Sequence, residues 1–88
     1  YNYNISLEDY NRLLLEQNNC CDICKEPMSK PFVDHNHTTG AVRGLLCSMC
    51  NFSIGTFKEN IDSLKNAILY LEKHKNNTPD NQALNYYY

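Results

Sequence analysis

Two pairs of cysteines with the same spacing constrain this 88-residue chain more than any other feature of its sequence. Cys21 and Cys24 form one Cys-x-x-Cys pair, Cys47 and Cys50 form the other, and twenty-two residues separate the pairs. Each pair can turn two thiolates toward one ion, and two pairs complete the tetrahedral ligand set of structural Zn²⁺. Because so short a chain buries little apolar surface, bound zinc would supply much of its folding free energy.

Disulfides and a redox-active thiol pair are the alternatives to zinc. The chain has five cysteines, an odd number, and no N-terminal apolar run that resembles a signal peptide, so a reduced intracellular setting is favoured. The Asp22-Ile23 insert does not suggest the strand-helix context of a redox pair. Cys20 could also be paired with Cys24, but the two-residue spacing favours Cys21, so we expect Cys20 to be a small buried residue or a spare thiol. No apolar run approaches the length of a membrane span.

The sequence patterns predict a single α+β domain over residues 1–88. Ser6 is a candidate N-cap for the first helix, and Asn60 for the last. The expected elements are a helix over 7–18, a hairpin of strands 31–35 and 41–46, a short helix over 48–54 ended by Gly55, and a helix over 61–74. Residues 76–88 are expected to be a loose tail. We expect the apolar face of the last helix, with Leu13 and Leu15, to be core with some dimer contact.

Polar side chains lie between and after the cysteine pairs, at Asp34-His35-Asn36-His37 and at Asn51. The oxygens of Asp34 and Asn51 are hard ligands suited to Mg²⁺, whereas the soft thiolates suit zinc. The tethered short helix could bring Asn51 near Asp34. Histidine gains and loses a proton near neutral pH, so His35 is a candidate general base.

The charge balance shows no general affinity for nucleic acid. Eight basic against ten acidic residues give a formal net charge of −2, and four thiolates on one Zn²⁺ would make it more negative. Contacts to phosphate must therefore be local. The candidates are Arg43, Lys30, Lys58 and Lys65, and Arg43 is equally compatible with a salt bridge.

Taken in order, these motifs resemble the recombination endonuclease VII family, within the HNH or ββα-metal nucleases. The matching features are the two cysteine pairs, Asp34-His35-Asn36-His37, the Arg-Gly-Leu-Leu-Cys run that begins at Arg43, and the Cys50-Asn51 step. The resemblance covers about residues 20–72. It implies a zinc-stapled ββα-metal domain with flanking helices. It also implies that Asp34 and Asn51 bind a catalytic Mg²⁺ or Mn²⁺, with His35 as base and His37 as an auxiliary residue.

We therefore expect an endonuclease that hydrolyses DNA phosphodiester bonds by nicking or by cutting branched DNA. The resemblance also suggests a homodimer. The resemblance suggests a phage origin in a host cytoplasm. The main alternative is a non-catalytic zinc module that binds nucleic acid or a protein. A small thiol oxidoreductase is a third class, and it would hold no tight zinc.

Overall fold

The computed structural model of the protein describes residues 5–75. They belong to two compact units, the first ending at Thr56 and the second beginning at Phe57. The tail predicted at 76–88 lies outside the described residues. The described chain is α+β, as expected, with three helices and one two-stranded sheet over residues 5–75. None of the helices in this range is long and apolar enough to cross a bilayer.

The first unit follows the predicted order of elements. It contains helix α1 (Leu7–Glu16), strands β1 (Phe32–His35) and β2 (Val42–Leu46), and helix α2 (Ser48–Thr56). Ser6 caps α1 as predicted, because its hydroxyl oxygen accepts a hydrogen bond of 3.0 Å from the backbone N–H of Asp9. The order of elements in the first unit is therefore helix, strand, strand, helix.

Two helices end at positions other than those predicted. Helix α1 stops at Glu16, because Asn18 and Asn19 have left-handed φ angles of 55° and 60° that cannot continue a right-handed helix. Helix α2 runs through Gly55 to Thr56. The prediction that Gly55 ends α2 in a left-handed conformation is therefore wrong, since its φ is not positive.

The two strands form the predicted antiparallel hairpin. Asn36 shapes its loop, because the side-chain oxygen Oδ1 accepts hydrogen bonds from the backbone N–H groups of Thr38 at 2.8 Å and Thr39 at 2.9 Å. Gly40 closes the loop with a φ of 78°, an angle that favours glycine. Asn36 is thus a structural residue between the two histidines.

The apolar core of the first unit is small. Its buried members among the described residues are Cys21, Val33, Leu45 and Leu46. Val33 and Leu45 are direct cross-strand partners. One buried member is a cysteine of the first pair, so the core is continuous with the cysteine knuckle, and a bound ion would stabilise both.

Gln17 connects α1 to the strand and to the knuckle. Its side-chain Nε2 donates to the carbonyl oxygens of Cys20 at 2.8 Å and Leu45 at 2.9 Å. Its Oε1 accepts from the backbone N–H of Leu45 at 3.0 Å. One side chain therefore satisfies both backbone polar groups of a fully buried residue.

The second unit contains helix α3 (Ile61–His74), which has the predicted bounds. Asn60 caps it, with its side-chain oxygen accepting from the N–H of Ser63 at 2.9 Å. No residue of α3 is buried, and its exposed apolar side chains are Ile61, Ile68, Leu69, Tyr70 and Leu71. The prediction that this face is core is therefore wrong, and the predicted dimer contact stays a prediction. Leu15 of α1, 79% exposed, is not core either.

Candidate functional site

The four paired cysteines converge on one point. The Sγ atoms of Cys21, Cys24, Cys47 and Cys50 all lie within 4.8 Å of one another. Those of Cys24 and Cys47 are 3.9 Å apart. A tetrahedral Zn²⁺ with Zn–S bonds of about 2.3 Å requires S–S separations of about 3.8 Å. The cluster thus has the ligand type and nearly the spacing that a structural zinc needs.

In each pair, the sulfur of the first cysteine accepts a hydrogen bond from a backbone N–H. The N–H of Ile23 lies 3.4 Å from Sγ of Cys21, and the N–H of Cys50 lies 3.4 Å from Sγ of Cys47. These donors stabilise negative charge on sulfur, the form in which cysteine binds metal. The local turns therefore prepare the thiols for an ion.

The thiols differ in how readily they ionise. Burial raises the pKa of Cys21, but backbone N–H groups, chiefly that of Cys47, outweigh it and lower the value to about 6. Burial and the neighbouring sulfurs raise the pKa of Cys50 to about 12. Four adjacent thiolates repel one another, so all four can ionise together only when a cation neutralises them.

Cys20 lies outside this cluster, as predicted from its spacing. It is half-buried, and its thiol donates to the carbonyl oxygen of Asn18 at 3.3 Å. Among residues 5–75, the four paired cysteines are the one group of three or more His, Cys, Asp or Glu side chains close enough to share an ion.

The end of β1 carries the polar residues of the second candidate site. Asp34 faces Arg43 of β2 in a two-bond ion pair, with Nε to Oδ2 at 2.7 Å and a terminal nitrogen to Oδ1 at 3.0 Å. A β-bulge between Asp34 and His35 shifts the register there, so that Asp34 pairs with Gly44 and His35 with Val42. Arg43 thus enters the site as the partner of a predicted metal ligand.

The two predicted histidines lie side by side. The ring centroids of His35 and His37 are 5.0 Å apart, with planes inclined by 56°. Nδ1 of His35 is buried. Asn51 lies on α2 directly after Cys50, half-buried, and its N–H donates to the carbonyl of Cys47 at 3.0 Å. Helix α2 contacts β1, the strand of Asp34.

The predicted phosphate contacts are divided between the two units. Lys30 lies beside β1 in the first unit, with its ammonium 6.0 Å from the ring centroid of Phe32. Lys58 and Lys65 belong to the second unit, with Lys65 on α3. The four cations are therefore separate candidates, two in each unit.

Sequence reasoning missed the close approach behind Gly44. A Cβ atom at this position would lie 3.2 Å from Oδ2 of Asp22 and 3.4 Å from Oε1 of Gln17, tighter than most such contacts. Only glycine lets the Gln17 side chain and the knuckle reach β2 without displacement. A glycine inside a predicted strand was the available signal.

The fold and the site define a class: a small α+β protein with four clustered cysteines that could hold a zinc ion, and with a hairpin that carries two adjacent histidines. Comparison with known proteins specifies the family. The family model for recombination endonuclease VII matches residues 1–73, and the chain belongs to that family.

Two phage proteins are similar to this chain. The Gene 59 protein of Mycobacterium phage D29 is 43% identical over 75 residues, covering 81% of this chain and 46% of that protein. The Gene 59 protein of Mycobacterium phage L5 is 41% identical over 73 residues, covering 78% and 44%. The chain thus spans a little under half the length of these curated relatives. No solved structure matches significantly.

Proposed function

We propose that the chain is a metal-dependent DNA endonuclease of the HNH type, with His35 as general base and one divalent ion held by Asp34 and Asn51. The observation that carries this proposal is the end of β1, where the carboxylate of Asp34 directly precedes one of two imidazoles 5.0 Å apart. Membership in the recombination endonuclease VII family supports the same chemistry.

Phosphodiester hydrolysis needs an aligned water and relief of negative charge on the phosphate. His35 would accept the proton of the attacking water. Because Nδ1 of His35 is buried, Nε2 is the nitrogen that would act. His37, whose ring lies beside that of His35, would contact the phosphate or support the metal site.

Asp34 and Asn51 would hold Mg²⁺ or Mn²⁺ through a carboxylate and an amide oxygen, both hard donors. When bound, the ion would neutralise charge on the phosphate and the leaving oxygen. Two protein ligands suffice, because Mg²⁺ usually keeps several waters and binds substrate phosphates as well. The donor chemistry therefore fits, although Arg43 holds both oxygens of Asp34.

The four cysteines would bind zinc for structure only. Four thiolates fill a tetrahedral shell and leave no position for water or substrate. The zinc would fix the start of α2 against the knuckle, because Cys47 precedes this helix and Cys50 lies in its first turn. It would thereby hold the adjacent Asn51 in place.

The substrate would be DNA, including branched or nicked forms, and the setting a phage-infected host cytoplasm. Phosphates would be contacted by Arg43, Lys30, Lys58 and Lys65. Such contacts are independent of sequence and weaken as salt rises. A homodimer would cut both strands, whereas a monomer would nick one.

A non-catalytic zinc module that binds nucleic acid or a protein is the second candidate. The observation that favours it is the ion pair of Arg43 and Asp34, since a carboxylate held by a guanidinium is not free to bind a metal ion. Both candidates bind through the same fold, and only the endonuclease cuts.

The test incubates the chain with plasmid, linear duplex and four-way junction DNA, in Mg²⁺ or Mn²⁺ and in EDTA. The endonuclease predicts metal-dependent products, and His35→Ala should reduce their rate by about 10²–10⁴-fold while DNA binding persists. His74→Ala, the same substitution on α3, is the matched control and should cut like the parent. Binding without cutting under every condition would favour the module.

A further inference from the structure

The carboxylate proposed for the divalent ion is already engaged by a cation of the same hairpin. Arg43 contacts both oxygens of Asp34, at 2.7 and 3.0 Å. The Asp34 side chain is only 12% exposed, whereas that of Arg43 is 38% exposed. The more accessible partner is therefore the guanidinium, which an incoming anion can reach.

The guanidinium fork matches a phosphate as well as it matches a carboxylate, since both present two oxygens to parallel N–H donors. A DNA phosphate that takes over Arg43 would leave Asp34 with an unneutralised charge. A divalent cation can replace the guanidinium beside Asp34, and its binding would offset the free energy needed to separate the ion pair. Once either the phosphate or the metal ion has separated Arg43 from Asp34, the other would bind more tightly.

Resting on the proposed function, we propose that Arg43 and the divalent ion compete for Asp34, and that transfer of Arg43 to a DNA phosphate couples substrate binding to metal binding. The bulge supports this arrangement, because it brings Arg43 to Asp34 although Gly44 is the register partner of Asp34. Two other cations of the first unit pair elsewhere: Arg12 with Asp9 and Glu16, and Lys25 with Asp22.

The test measures Mn²⁺ binding without DNA, on chain purified with Zn²⁺, by the electron paramagnetic resonance signal of free Mn²⁺. Arg43→Lys keeps the charge but loses the fork, so it should bind Mn²⁺ at least about threefold more tightly than the parent. Arg43→Gln should bind at least as tightly as Arg43→Lys. Arg12→Gln, which removes an arginine paired with Asp9 and Glu16 rather than with Asp34, should stay within about twofold of the parent.

A short DNA duplex added in the His35→Ala background measures the coupling without cleavage. The duplex should tighten Mn²⁺ binding about fivefold or more, and adding Arg43→Lys should reduce that gain. If Arg43→Lys binds Mn²⁺ like the parent, or leaves the DNA effect unchanged, the competition is refuted while the proposed function stands. If Asp34→Asn does not weaken Mn²⁺ binding, the proposed metal site itself fails.

Discussion

Replacing Gln17 with Ala should destabilise the first unit more than any exposed substitution on α1. The change removes three hydrogen bonds of 2.8–3.0 Å, two to Leu45 and one to Cys20. At about 0.5–1.5 kcal/mol net for each bond, the loss is about 1.5–4.5 kcal/mol. The carbonyl of Leu45 keeps a second donor, the N–H of Asp22 at 3.2 Å, so we expect about 2 kcal/mol.

The assay is reversible denaturant unfolding of the zinc-loaded chain, with hydrogen exchange at Leu45 as a local measurement. Because Leu45 is fully buried, water cannot replace Gln17 without local opening, and its amide should exchange faster in the variant. Asn11→Ala is the matched control on the exposed surface of α1, and it should change the free energy of unfolding by no more than about 0.5 kcal/mol. If Gln17→Ala behaves like this control and the Leu45 amide stays protected, the three hydrogen bonds of Gln17 contribute nothing to stability and the reasoning is refuted.

Three further predictions concern the cysteine cluster and the glycines. Cys50→Ser should lower zinc content and unfold at lower denaturant, whereas Cys20→Ser should retain one zinc per chain by elemental analysis, because Cys20 lies outside the cluster. Zinc affinity should fall as pH is lowered from about 8 to about 5, because the metal-free thiols then bind protons that the zinc-bound thiolates cannot. Competition with a chelating dye measures the affinity, and an affinity independent of pH would contradict thiolate ligation. Gly55→Ala should stabilise α2 by about 0.5–1 kcal/mol, since Gly55 is helical with nothing within 4 Å of an added Cβ. Gly44→Ala should destabilise the chain, because its Cβ would lie 3.2 Å from Oδ2 of Asp22. Thermal unfolding of both variants and the parent measures the two effects.

The ion pair of Arg43 and Asp34 would have a different role in each of the two candidate functions. In a simple binding module the pair would be a structural salt bridge, and its removal would cost stability alone. If Arg43 and a divalent ion compete for Asp34 in an endonuclease, as proposed, Arg43→Lys should raise the metal affinity, which a structural salt bridge does not predict. A tighter metal affinity in Arg43→Lys would support the endonuclease, whereas an unchanged affinity would refute only the competition for Asp34 and leave the two functions to the cleavage assay.

The sequence by itself determined the features that depend on neighbouring residues. Two-residue spacing fixed which cysteines pair, and Cys20 was correctly excluded. Helix caps at Ser6 and Asn60 were predicted because a cap bonds within three residues of its own position. Family membership followed from the order of these local motifs, and the family model confirms it.

Only the tertiary structure decided the contacts between distant segments. Gln17 bonds to Leu45 across twenty-eight positions, and Arg43 pairs with Asp34 next to a β-bulge that no local sequence pattern predicts. Glycine permits both a helical and a left-handed backbone conformation, so the residue type alone could not decide that Gly55 stays helical. An amphipathic pattern likewise indicates that α3 has an apolar face, but not what covers it, because burial depends on neighbours that the helix sequence does not encode.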